Sequence, residues 1–192
     1  MIKKFVNLHH QFFSSLEESV SSWLTAAMAR LVFAGVLLMY FLNSASTKTG
    51  EGLLGGLSVK DNAYFQIVPS VVERFNYDAS TVPFLPYGLI VYLGTYAEFI
   101  LPVLVVLGLF TRIAAAGMIV FVMVQSYVDI AFHNVDEGTI GAWFDNISGA
   151  AIVDQRALWV FLLAYLVLHG AGKLSLDHLL RRIGDRPQFE TR

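Results

Sequence analysis

The sequence predicts an all-α membrane protein: a four-transmembrane-helix bundle with an N-terminal amphipathic helix and a long outer loop. Three observations carry that prediction. Of the 192 residues, 56% are hydrophobic and 15% charged, too few charges for a soluble domain of this size to cover its surface. Mean hydropathy is +0.60. The apolar residues gather into four stretches, each near the roughly 20 residues an α-helix needs to cross a ~30 Å hydrocarbon core. The chain reads as one membrane domain spanning residues 1–192.

Residues 1–23 come first. Lys3 and Lys4 mimic the basic start of a secretion signal, but His9, His10, Glu17 and Glu18 break the apolar core such a signal requires. Phe5, Leu8, Phe12, Leu16, Val20 and Trp23 recur every three or four positions. That period predicts an amphipathic helix lying in the membrane interface. The four spans are expected at 24–45, 86–109, 113–132 and 157–172, the last extendable back towards Ile152. Only Phe110, Thr111 and Arg112 separate the second span from the third, so the two must form a tight antiparallel hairpin. Asp154 is placed to cap the fourth helix.

The loop at 46–85 is long for so small a bundle, and loops of that length carry structure or function. Its segment 62–75 (NAYFQIVPSVVERF) is apolar enough to lie on the membrane or cap the bundle, with Pro69 as a break. In the second loop, Trp143 and Phe144 offer an interfacial anchor. Residues 173–192 form a tail in which Ser175 caps a short helix at 176–183.

Orientation follows from the cationic residues. One side carries eight, namely Lys3, Lys4, Arg112, Lys173, Arg181, Arg182, Arg186 and Arg192; the other carries four, Lys48, Lys60, Arg74 and Arg156. That asymmetry predicts a multi-pass protein of the bacterial inner membrane with both termini and the tail in the cytoplasm. A net charge of −2 points to no nucleic-acid partner. The absence of cysteine excludes disulfides, thiol catalysis and iron–sulfur ligation by this chain. Residues 50–56 (GEGLLGG) lack the Lys-Ser/Thr end of a phosphate-binding loop.

Ionisable residues inside hydrocarbon are costly and mark candidate sites. Glu98 stands near the middle of the second span and Arg30 about two turns into the first. From a rise of 1.5 Å per residue, Glu98 lies roughly 15 Å and Arg30 roughly 9 Å from the inner surface, within reach of each other. Two readings stay open: a structural ion pair, or a catalytic pair with Glu98 as proton acceptor and Arg30 tuning its protonation. Thr95 and Tyr96, beside Glu98, are the candidate ligand-binding hydroxyls. Gln125, Asp129 and His133 share a face of the third span, and Asp129 and His133 could ligate a metal together. A third ligand would have to come from elsewhere, such as Asp136 or Asp145, and two ligands do not complete a metal shell, so no metal site is expected.

On these residues the chain resembles the DoxX family of small bacterial membrane proteins. Glu98, LGLFTRIAA at 107–115, Met118 and Met123 match that family's centre, and LHGAGKLSLDHLL at 168–180 matches its end. Arg30 stands where the family carries an arginine in its first helix, and Lys48 where a lysine follows it. The resemblance implies a small membrane subunit or accessory of a quinone-linked redox system, with quinone as the cofactor it brings in. The alternative it leaves is a non-enzymatic accessory in copper or oxidative-stress handling, docking another membrane or periplasmic protein. The bilayer is the first partner, and homo-oligomerisation stays open.

Overall fold

The computed structural model describes residues 2–20, 23–50 and 58–184. Nine helices account for most of the described chain: α1 (Ile2–Val20), α2 (Leu24–Ser46), α3 (Asp61–Ile67), α4 (Pro69–Arg74), α5 (Phe84–Leu107), α6 (Thr111–Phe132), α7 (Glu137–Ile140), α8 (Ala151–His169) and α9 (Leu176–Gly184). Four of them, α2, α5, α6 and α8, are long and apolar enough to cross a membrane. The expected four-span all-α architecture is what folds. Helix α1, the α5–α6 turn and α9 share one end of the bundle, called here the terminal end; α3, α4 and α7 sit at the loop end.

The spans differ from expectation chiefly at their starts. Wide π-turns lie at Ala34–Leu38 within α2 and at Ala151–Gln155 at the start of α8, whereas the start of α5 is kinked at Leu85, whose backbone is extended (φ −104°, ψ 126°). The fourth span therefore begins at Ala151 and ends at His169, where Gly170 takes φ +77°. Asp154 does not cap it. It lies inside the first turn and accepts the Ala150 N–H at 3.0 Å, satisfying a donor that the helix start leaves unpaired. Ser175 does cap α9, accepting the His178 N–H at 3.2 Å.

All four spans meet in one core. Phe33, Leu37 and Phe41 of α2 pack on Val105 of α5, on Ala114, Ala115, Met118 and Val122 of α6, and on Leu163 and Leu166 of α8. Small residues at 114 and 115 let α6 approach its neighbours closely, the usual device where lipid offers no hydrophobic drive between helices. Outward, Leu31, Val36, Ile113, Leu158 and Phe161 are all more than half exposed. An apolar exterior around an apolar core is what a bilayer permits and water does not. Helix α1 is exposed along its length, Phe5, Leu8 and Phe12 included.

The α5–α6 turn is closed by two left-handed residues, Gly108 (φ +68°) and Phe110 (φ +48°). Glycine is required at 108: a Cβ there would lie 2.7 Å from Ser175 Cβ and 2.8 Å from Arg30 Cζ.

Candidate functional site

Along α5, Val91, Thr95, Glu98, Pro102 and Val105 are buried at intervals of three and four, so one helical face looks into the bundle. Glu98 is 2% exposed. Pro102 has no N–H, which removes the ordinary partner of the Glu98 carbonyl one turn back. The most polar point of the span thus coincides with a gap in its own hydrogen-bond ladder.

The cation facing Glu98 is Lys48, 5% exposed, whose Nζ donates to Oε2 at 2.7 Å. Lys48 is the second residue past the end of α2, at the loop end, and its four-carbon stem lets the ammonium reach inward. Two further bonds orient it, to Ser44 O at 3.2 Å and Ser44 Oγ at 3.0 Å. Its backbone is fixed by an isolated antiparallel bridge, Thr49 to Val59, with the Lys60 N–H donating to Lys48 O at 2.8 Å. Among the described residues, none donates to the second Glu98 oxygen.

This pair replaces the expected contact between Glu98 and Arg30, which the structure does not make. Arg30 sits at the terminal end and binds carbonyl oxygens: Nε to Val105 O at 3.2 Å, Nη2 to Val106 O at 2.6 Å, and Nη1 to Ala171 O at 3.2 Å and to Leu174 O. Those are carbonyls of the last turn of α5 and of the turn after α8, where a helix end leaves acceptors short of partners; Val105 O also accepts the Gly108 N–H at 3.2 Å. The depth argument allowed the two residues to meet, but depth says nothing about which way a side chain leaves its helix.

Glu98 and Lys48 line a cleft of about 560 Å³ between α2, α5 and α6, roofed by α3. Its walls are apolar, with Ile90, Leu93, Leu101, Val120, Phe121 and Val124. Two glycines, Gly94 and Gly117, keep it open: a Cβ at either would come within 3.3 Å or 3.1 Å of Ile67 or Leu101 respectively. At the loop end the lining turns polar, through Gln66, Gln125, Asp129 and His133. The Gln125 amide donates to Tyr40 Oη at 3.0 Å, while its buried Oε1 has no partner among the described residues.

Thr95 lies one turn before Glu98 on the same buried face, and its Oγ1 has no partner among the described residues. Tyr96 is half-buried and its ring lies tilted against Tyr92, centroids 6.3 Å and planes 52° apart. Neither lines the cleft. Asp129 and His133 are drawn apart: Asp129 accepts from Arg156 Nη2 at 2.6 Å, and His133 Nε2 lies 3.3 Å from Gln66 O. Arg156 also donates to Ser126 Oγ at 3.0 Å, tying α8 to α6. The Asp129–Arg156 and Lys48–Glu98 pairings escaped sequence reasoning because both cations sit at span boundaries, where they read as loop residues. Their one signal was that each lies within a few positions of an apolar stretch.

An apolar cleft ending in a fixed ammonium–carboxylate pair can hold an amphiphile by its tail, offer its head hydrogen-bond donors, and exchange a proton through Glu98. Residues 25–133, more than half of the chain, match the DoxX family. No curated protein and no solved structure matches the chain.

Proposed function

Because the chain belongs to the DoxX family, we propose that it serves as a small membrane subunit or accessory of a quinone-linked redox system, holding a quinone in the cleft beside Glu98. The observation that carries this reading is the joining of a long apolar cleft to one buried ion pair, Lys48 Nζ to Glu98 Oε2 at 2.7 Å. A quinone has two carbonyl acceptors on a flat ring and an isoprenoid tail. The residues fit it: Lys48, Gln66, Gln125 and His133 bring polar side chains to the cleft lining, and the walls suit a hydrocarbon chain. When bound, it would supply two-electron redox chemistry.

The chain's own residues bind, orient and move a proton. Lys48, whose three ammonium hydrogens go to Ser44 O, Ser44 Oγ and Glu98 Oε2, would turn one of them from Ser44 to a carbonyl oxygen of the ligand. Glu98 carries the proton; Thr95 and Tyr96 stand behind it on α5, outside the cleft lining, so the ligand-binding role expected of their hydroxyls is not part of this reading. Arg30 holds the terminal end of α5 and so fixes the register of Glu98 from below. With no cysteine the chain has no dithiol relay, so electrons come through a partner protein. The cationic asymmetry supports an orientation in a bacterial inner membrane with both termini on the cytoplasmic side and the long loop on the outer side as the docking element.

Purification of the full chain in mild detergent, followed by mass spectrometry of extracted lipid, tests the proposal. The wild type is expected to retain quinone, and Lys48→Met and Glu98→Gln to retain at least tenfold less at equal protein. A wild type that neither retains quinone nor binds an added short-chain quinone sinks the reading.

A further inference from the structure

A second recess, of about 390 Å³, lies at the terminal end where the α5–α6 turn meets α9, among Phe110, Arg112, Ile113, Asp177, Leu180 and Arg181. Two kinds of surface meet there. Ile113 is 73% exposed, Phe110 61% and Leu180 51%. Beside them stand the guanidinium groups of Arg112 and Arg181. The ion pairs among the described residues are Lys48–Glu98 and Arg156–Asp129, so neither arginine is bonded to a carboxylate. Asp177 is the acid at hand, but its oxygens are engaged: the Phe110 N–H donates at 2.7 Å, the Thr111 N–H at 3.0 Å and the Thr111 hydroxyl at 2.8 Å.

Helix α9 repeats the pattern. Leu176, Leu179, Leu180 and Ile183 fall at i, i+3, i+4 and i+7 on one face, while Arg181 and Arg182 stand on the two flanks of the other. No residue of α9 is buried. The helix is pinned to the bundle through Asp177 and through the Asp177 N–H to Gly108 O, 2.8 Å, so its apolar face is held in place but left uncovered by the described chain.

We propose that this recess binds the head group of an anionic phospholipid, its phosphate between Arg112 and Arg181 and its acyl chains passing Phe110, Ile113 and the α9 leucines. Charge complementarity selects the ligand. A guanidinium fork matches phosphate oxygens in pairs. A free phosphate would use the arginines but leave the apolar rim in water. A zwitterionic lipid would cover the rim but bring its own cation to the arginines. Only an anionic lipid satisfies both surfaces, and the site does not depend on the quinone reading or on orientation.

The test is the melting of the full chain in neutral detergent, titrated with phosphatidylglycerol, with phosphatidylcholine of the same chains, or with inorganic phosphate. Phosphatidylglycerol is expected to raise the melting temperature saturably, and the other two to leave it unchanged. Arg112→Gln with Arg181→Gln should demand roughly thirtyfold more phosphatidylglycerol, about fivefold per basic side chain. Lys60→Gln with Arg74→Gln, an equal loss of charge at the loop end, should behave as wild type. Should the first double variant not fold, Arg181→Gln alone, on an exposed helix, is read against the fivefold figure. Equal shifts with phosphatidylcholine, a shift with inorganic phosphate alone, equal losses in both double variants, or an unchanged arginine variant would each overturn the proposal.

Discussion

At the scale of single residues, two buried or half-buried charges decide most of the energetics. Lys48 and Glu98 are 5% and 2% exposed, so neither can lose its partner without leaving a charge in low dielectric. Breaking such a pair costs about 3–5 kcal/mol in soluble proteins, and less where membrane water can enter. Lys48→Met and Glu98→Gln should each lower thermal stability, and the double variant should lose clearly less than the two losses added together. Additive losses, measured in one detergent, would mean that the pair is not coupled. Asp177 makes a second prediction, in pH. Burial pushes its carboxyl up, but the Thr111 N–H and hydroxyl, the Phe110 N–H and the Arg181 charge outweigh it and hold the group below the usual carboxylate range. A depressed acid stabilises the fold above its unfolded value, about pH 3.9, and that contribution is lost as pH falls through the folded value. The protection of α9 amides, observed exchange set against the intrinsic rate at the same pH, should therefore fall at low pH, and Asp177→Asn should show reduced protection already at neutral pH. Exchange in the variant that matches wild type at pH 7 would remove Asp177 from this role.

Helices and their joints show what the sequence made legible and what it hid. The spans were readable because crossing a bilayer demands a run of apolar residues that soluble folds do not produce. Their pairing was readable only where the linker is three residues long, at Phe110–Arg112. The partner of Glu98 was hidden by a property of lysine: a residue in the polar run after α2 sends its charge several ångströms back into the bundle. Arg30 was recognised as exceptional but given the wrong task, because a carbonyl cluster formed by α5 and the turn after α8 has no sequence signature. That cluster yields a prediction at its own scale. Arg30 serves carbonyls of Val105, Val106, Ala171 and Leu174 at once, which a planar fork can do and a single ammonium cannot. Arg30→Lys should fail to rescue stability relative to Arg30→Gln, both losing on the order of 3 kcal/mol. Recovery of wild-type melting by Arg30→Lys would show that charge alone, not the fork, holds the joint.

For the whole molecule, polar centres lie at different levels of one apolar bundle: the arginine joint at the terminal end, and the Lys48–Glu98 and Arg156–Asp129 pairs nearer the loop end. The chain has no native cysteine, so single cysteines report topology cleanly. Placed at Ser14 and at Ser80, they should react with an impermeant reagent from opposite sides of the membrane, Ser80 from outside the cell. Labelling of both from outside would reverse the orientation assigned from the cationic residues. The cleft itself is tested most directly by a photoreactive short-chain quinone applied to the full chain in membranes, with the modified residues located by mass spectrometry. The label is expected on α5 and α6 at cleft positions such as Leu93, Leu101, Val120 and Val124, and should disappear in Gly117→Leu, whose side chain fills the space Gly117 leaves beside Leu101. Label confined to lipid-facing residues such as Phe161 and Leu158, or unchanged by Gly117→Leu, would contradict a quinone site beside Glu98.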